Sequence, residues 1–480
     1  MSANRDDAFT ATWTPVERES FFAAIARHRQ AAWRVTAVSH FCALVLAFVV
    51  ATLMAPLFYG VLGIGLDVIH WLVPMPDLVK TVTDTVGDII DHPEKVTAAR
   101  AVYLCVVAAL PGLVVMGLAL RTLNRVMSEA MTLGASELQA RAPLPSELNE
   151  QRFMNVVTEM ALAAAVPAPQ VLVTESDAVN AAVFGRSDGA ATIVFTTGLL
   201  ATVNRAEMQA IAAHLVGSIA DGDMTIGTRI ATMLSSFGLV ARLSASFGDR
   251  EAAKRLGKLL RAAFRRGSSS ADVDLAAELT NPFEDAPGTK RDETPEHLSD
   301  KIPWRTLAWM PLTGPLVISG FFGGLVSTLL LGPLLAMAWR SRKYMADASA
   351  VRLTRDPDAL ATALQKLRGK AVKGAFSSVV AHLSVVPDTG PRSRTLLSGS
   401  AVPMAPSYDR RLRALRKLGA SIAEPVRGPK NVLLWVLVAP LFALVIGLLC
   451  VVVFLLIYVS IALSGLFTWF PVVLVHAILR

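Results

Sequence analysis

Four long stretches without Asp, Glu, Lys or Arg divide the chain: residues 35–66, 101–120, 306–339 and 431–479. Each reaches the roughly 20 apolar residues that a helix needs to cross a bilayer. The last is long enough for a hairpin of two helices turning near Ser464 and Gly465. The 306–339 stretch is interrupted by Gly and Pro, and reads either as one steep span or as a broken hairpin that returns to the same face. Residues 230–241, between Arg229 and Arg242, are uncharged but short for a span.

Between these stretches the pattern becomes finer. Residues 204–224, NRAEMQAIAAHLVGSIADGDM, predict an amphipathic helix on which the polar part is organised. Asn204 is its N-cap, Glu207 completes a capping box, and Met208, Ile211, Leu215 and Ile219 recur at the spacing of one buried helical face. Upstream, residues 170–174 and 191–196 are short strand-like runs separated by a turn-rich segment at 185–189. Downstream, residues 344–367 place Ala350, Leu353, Leu360, Leu364 and Leu367 on compatible helical faces, and residues 407–418 form a short basic amphipathic helix. The expected fold class is α+β: a mainly helical membrane protein with a small β-sheet packed on the 204–224 helix.

Composition supports the membrane assignment. Of 480 residues, 53% are hydrophobic and 18% charged, and mean hydropathy is +0.49. A formal charge of +8 fits basic flanks on the cytoplasmic side better than nucleic acid, for which no motif is present. Charge then sets the order of segments. Residues 1–34 end in the basic cluster Arg27, His28, Arg29 and Arg34 and are expected inside, before a span at 35–66. Residues 67–100 hold six acidic residues against Lys80, Lys95 and the flanking Arg100 and read as an external loop, followed by a span at 101–120. The polar domain then has a first part at 121–305, with an exposed linker at 268–303, and a second part at 340–430 after the 306–339 stretch. The basic stripe Arg250, Lys254, Lys258, Arg261 and Arg265 either rests on anionic lipid or forms a solvated face. Cys42, Cys105 and Cys450 lie in apolar runs, so neither a disulfide framework nor a thiolate metal cluster is expected.

Among eight histidines, only His214 sits on a well-defined helix in the polar domain. A zinc-peptidase helix of the H-E-x-x-H type needs two imidazoles one turn apart and a carboxylate beside the first as general base. Here the sequence is His214, Leu215, Val216, Gly217, Ser218, which supplies one of the three groups. Asp221, two turns on, reads as a helix-end carboxylate, and His382 as an ordinary histidine. No G-x-S-x-G, phosphate-binding or nucleotide motif offers a different chemistry.

Several segments nonetheless resemble one family. Asn180 with Ala181, Ala182 and Phe184; Thr197, Gly198, Leu199 and Leu200; Ala213 to Ser218 with Asp223 and Met224; Tyr344, Ala346 and Asp347, continued by Arg352, Leu353, Asp356, Pro357, Ala359 and Leu360; and Pro406, Ser407, Asp409, Arg410 and Leu412 follow, in order and spacing, the motifs of HtpX-like membrane zinc metallopeptidases. That gluzincin-type group includes the CAAX prenyl protease, and the likeness covers roughly residues 120–420 and the flanking spans. It implies a metallopeptidase-like domain in a bacterial inner membrane, facing the cytoplasm.

The departures fall on the chemistry that the resemblance implies. Leu215 stands where the family has its general base, Ser218 at its second zinc histidine, Lys343 at its glutamate ligand, and Ala405 at the histidine of its closing motif. Leucine accepts no proton, serine is a poor zinc ligand, and an ammonium repels a dication. The resemblance therefore implies a pseudopeptidase without catalytic or metal residues and without a cofactor, in which Asn180 and Asp347 remain as supporting or peptide-groove residues. Its partners would be membrane lipid and membrane or misfolded proteins or an active protease, with an extended peptide held by strand addition. The alternative is an active metalloendopeptidase in which zinc uses unorthodox ligands around His214, such as Asp221 or His382.

Overall fold

The computed structural model describes residues 18–55, 97–137, 139–186, 188–246, 322–368, 383–386 and 404–422, with isolated positions between them. The expected linker at 268–303, the hairpin at 431–479, nearly all of the acidic loop at 67–100, and His382 lie outside the described residues.

Three of the described helices are long and apolar enough to cross a membrane: Phe21–Leu53, Cys105–Ala130 and Phe322–Thr354. The chain is thus a multi-pass membrane protein. Helix α1 (Phe21–Leu53) starts well before the apolar run, so Arg27, Arg29 and Arg34 continue the same helix that spans. Its outer face exposes Trp33, Val38, Phe41, Leu44 and Val45, while α2 (Ala98–Glu137) exposes Val102, Tyr103, Val106, Leu110 and Val114. Apolar faces of that extent belong against acyl chains rather than water. The third span, from Phe322, passes a short π-helical segment at Ser327–Leu331 and continues as α7 (Gly332–Thr354) into the polar domain.

The domain is built around three strands, β1 (Gln170–Thr174), β2 (Ala181–Phe184) and β3 (Thr192–Thr196), in the order β1-β3-β2. β1 runs parallel to β3, and β2 antiparallel to it. Alternation along these strands sends Ala181, Val183, Ile193 and Phe195 into one core, and Ala182, Phe184 and Val194 into a second, membrane-proximal core with Val50, Met127 and Trp339. The sheet therefore separates two apolar interiors.

Helices complete the first interior: α3 (Leu148–Ala163), the short α4 (Thr197–Thr202), α5 (Arg205–Ala220), α8 (Pro357–Arg368) and α9 (Tyr408–Lys417), while α6 (Asp223–Ser246) gives Met224 to it and Ile230 and Phe237 to the second. The expected capping box of α5 is present: Glu207 N donates to Asn204 Oδ1 at 2.9 Å, and Asn204 N to Glu207 Oε2 at 2.8 Å. The helix is not amphipathic, however. From Met208 to Ile219 every residue but Gln209 is buried. Ala210, Ala212, Ala213 and Gly217 occupy what a surface helix would fill with polar side chains, and α7 packs there instead. A Cβ built on Gly217 would lie 2.9 Å from Ser349 Cβ, so the two helices meet at closer range than a side chain allows. Asp221 caps the C-terminus of α5 as expected, Gly222 turns the chain with φ 73°, and α6 begins at Asp223.

Candidate functional site

α5 and α7 cross where His214 faces Asp347. Both side chains are buried, and His214 Nδ1 lies 2.9 Å from Asp347 Oδ1 without the alignment of a straight hydrogen bond. Asp347 is committed elsewhere as well. Arg411, on α9, grips it with Nε to Oδ2 at 2.9 Å and Nη2 to Oδ1 at 2.6 Å, a bidentate charge-assisted pair. Burial drives the His214 pKa down to about 4, against the raising influence of Asp347, so the ring is neutral at neutral pH.

Lys343 enters from one turn earlier on α7. Its ammonium is 3% exposed and donates to the main-chain carbonyl of Ser384 at 2.9 Å. The preceding Arg342 pairs through Nε with Asp223 at the start of α6 and bonds the carbonyl of Asp221. Burial raises the Asp223 carboxyl, and Arg342 opposes that rise. Asp221 turns away from His214: Ser349 Oγ donates to it at 3.3 Å, and Arg29 of α1 approaches at 3.7 Å.

Asn180 closes the group from the start of β2. Its Nδ2 donates to the carbonyl of Val386 at 2.9 Å, while its Oδ1 accepts from the amides of Ala181 at 2.9 Å and Val386 at 3.3 Å. Residues 383–386 thus lie along β2, with Ser384 bridged to Ala182 and Val385 N donating to Ala181 O at 2.8 Å. The opposite sheet edge is met by a bridge between Arg141 and Val173, with Arg141 N donating to Val173 O at 2.8 Å and Val173 N to Arg141 O at 2.7 Å.

His214, Ser218, Lys343, Asp347 and Asn180 are thus gathered into one buried region. Leu215 is drawn into the apolar core, 1% exposed, and offers nothing to a reaction. The donor set does not fit zinc. His214 Nε2 is buried and without a hydrogen-bond partner, the kind of atom a metal would engage. The groups gathered with this imidazole are, however, a neutral Ser218 hydroxyl one turn on, a lysine ammonium, and on the Nδ1 side a carboxylate already held by arginine. Among the described residues no group of three or more His, Cys, Asp or Glu side chains could hold a metal ion.

Sequence reasoning missed Arg411, Arg342 and the bridge that residues 383–386 make to β2. Arg411 had a readable signal, since the arginine of the closing motif directly precedes its aliphatic residue, here Leu412. Matching Arg410 instead shifted it by one. Arg410 is exposed, whereas Arg411 is buried. Arg342 looked like a charge flanking a span, and nothing in residues 383–386 marks which main-chain groups they satisfy.

The model of peptidase family M48 matches residues 147–418, more than half of the chain. Similar proteins include the protease HtpX homologue of Streptococcus equi subsp. equi, 29% identical over 220 residues, which cover 45% of this chain and 57% of that protein. The homologue of Lactobacillus acidophilus is 27% identical over 232 residues, 46% and 60% of the two chains, and that of Burkholderia multivorans 25% over 232 residues, 48% and 61%. The chain thus spans less than two thirds of the length of these curated relatives. No solved structure matches it. With three membrane helices, a three-stranded sheet against buried helices and a family match across the site, this chain belongs to peptidase family M48.

Proposed function

We propose that this chain is a catalytically silent member of its family, a gluzincin-type pseudoenzyme in a bacterial inner membrane with its domain on the cytoplasmic side. Its role is to regulate or scaffold quality control, engaging membrane or misfolded proteins or an active protease without cutting them. One observation supports this above the others. The lysine at the third ligand position donates to the chain's own main chain at Ser384, in a buried site where general-base and second-imidazole positions hold leucine and serine. Peptide hydrolysis needs a polarised water and a group to take its proton. Leu215 and Ser218 provide neither.

Metal content and cleavage together test this reading. Detergent-purified protein is expected to hold far less than one zinc per chain, unchanged by His214→Ala, and to leave an unfolded protein substrate intact. Near-stoichiometric zinc that disappears in His214→Ala, with cleavage lost in the same variant, would overturn it. That result would establish the competing reading, an active metallopeptidase with unorthodox ligands, whose support is the unpartnered His214 Nε2. Orientation is checked separately: protease added to sealed vesicles is expected to cut residues 268–303 only from the cytoplasmic face.

A further inference from the structure

Three side chains far apart in sequence meet three consecutive peptide carbonyls. Lys343 Nζ donates to Ser384 O at 2.9 Å, Arg411 Nη1 to Val385 O at 2.6 Å, and Asn180 Nδ2 to Val386 O at 2.9 Å. The amides are met too: Val385 N by Ala181 O at 2.8 Å, and Val386 N by Asn180 Oδ1 at 3.3 Å. Every one of these bonds is to main-chain atoms of residues 384–386, so the cluster recognises backbone and not a particular sequence. Lys343 and Arg411 are each buried, and both place a full positive charge against a carbonyl dipole.

We propose that Asn180, Lys343 and Arg411 form a clamp for one main-chain segment on the edge of β2, and that the chain's own residues 383–386 fill it. The segment is tethered, so it acts at an effective concentration on the order of millimolar. A free peptide of micromolar affinity for the same edge is therefore held off by the resident segment. Val385 and Val386 are 2% and 0% exposed and belong to the domain core, which makes the segment a closed occupant rather than a loose neighbour. The clamp stands on these contacts alone. Its consequence for clients rests on the reading above: they reach the β2 edge only when residues 383–386 leave it.

Hydrogen exchange on the full-length protein in detergent tests the occupant. The segment 383–386 is expected to exchange as slowly as β3; exchange as fast as an open loop would overturn the proposal. Lys343→Met removes one donor while keeping the side chain's bulk. It is expected to speed exchange of 383–386 at least tenfold with β3 unchanged; Val386→Ala, which weakens only the resident segment and leaves the three clamp side chains in place, is expected to bind a fluorescent peptide of alternating Val and Ser at least tenfold tighter than the unaltered protein. An unaccelerated segment in Lys343→Met, or equal peptide affinity in Val386→Ala and the unaltered protein, would overturn it. If β3 protection also falls, the cross-linked pair Ala182→Cys and Ser384→Cys in the Lys343→Met background decides: recovery of β3 protection supports the clamp, and no recovery rejects it. None of these readouts depends on zinc or cleavage, so failure of the clamp and failure of the silent-enzyme reading are separable.

Discussion

The two sides of His214 differ in kind. On the Nδ1 side stand Asp347 and Arg411, with two hydrogen bonds joining a buried anion to a buried cation. On the other, the Nε2 nitrogen has no hydrogen-bond partner, and of the groups at the remaining family positions Ser218 is a neutral hydroxyl and the Lys343 ammonium is bonded to a peptide carbonyl. The first side ties α5, α7 and α9 together, and its energetics belong to folding. The second is where a reaction would occur, and its groups are unsuited to one. Support for a site and the chemistry of the site are thus physically separable: the framework needs no metal to stay satisfied.

Removing the support should have the largest effect. Asp347→Ala leaves Arg411 buried with its anion gone, and breaking such a pair costs about 3–5 kcal/mol. The loss is expected as a lower unfolding midpoint in detergent, with peptide cleavage absent before and after. A change below about 1 kcal/mol, the range of exposed pairs, would show that Arg411 is not held as described.

Acid should act next, through the imidazole itself. The folded His214 titrates near 4 and an unfolded histidine near 6.5, so the unfolded chain binds a proton first as pH falls. The stabilising contribution is complete above the unfolded value and is lost between these two pH values, on the order of 3 kcal/mol. Unfolding measured across that window in the unaltered protein and in His214→Phe is expected to show this slope only in the former.

Packing gives a third contrast, away from charge. Gly217→Ala sets a methyl group 2.9 Å from Ser349 Cβ at the crossing of α5 and α7. Overpacking of this kind costs roughly 1–3 kcal/mol, and its measure is again the unfolding midpoint. The smallest effect belongs to Lys366→Ala. Its pair with Glu207 spans 2.7 Å, but the lysine side chain is 43% exposed, and Glu207 keeps its capping bonds. A loss of about 0.2–1 kcal/mol is expected.

Local chemistry was legible in the sequence, and long-range satisfaction was not. The capping box and the strands at 170–174 and 191–196 follow from motif and spacing, whereas the grouping of Ser218, Lys343 and Asp347 with His214 was implied by the family resemblance alone. The burial of α5 on all sides follows from neither, because alanine and glycine look neutral in a periodicity count while in the fold they admit a second helix. Arg411 was hidden by a one-position shift in an arginine pair. Residues 383–386 were hidden for a deeper reason: their role is played by carbonyls and amides, which every residue has, and so leaves no trace in residue type.

The helix Phe322–Thr354 holds membrane-facing leucines at one end and Lys343 with Asp347 at the other. Past the π-helical segment at Ser327–Leu331 the helix runs on without interruption to both charged groups, which are thus continuous with the span. A bilayer of different thickness alters the tilt of such a helix. His214 rides on α5, which meets this helix at Gly217 and Ser349, so the imidazole and Asp347 belong to one packed crossing that the span carries with it.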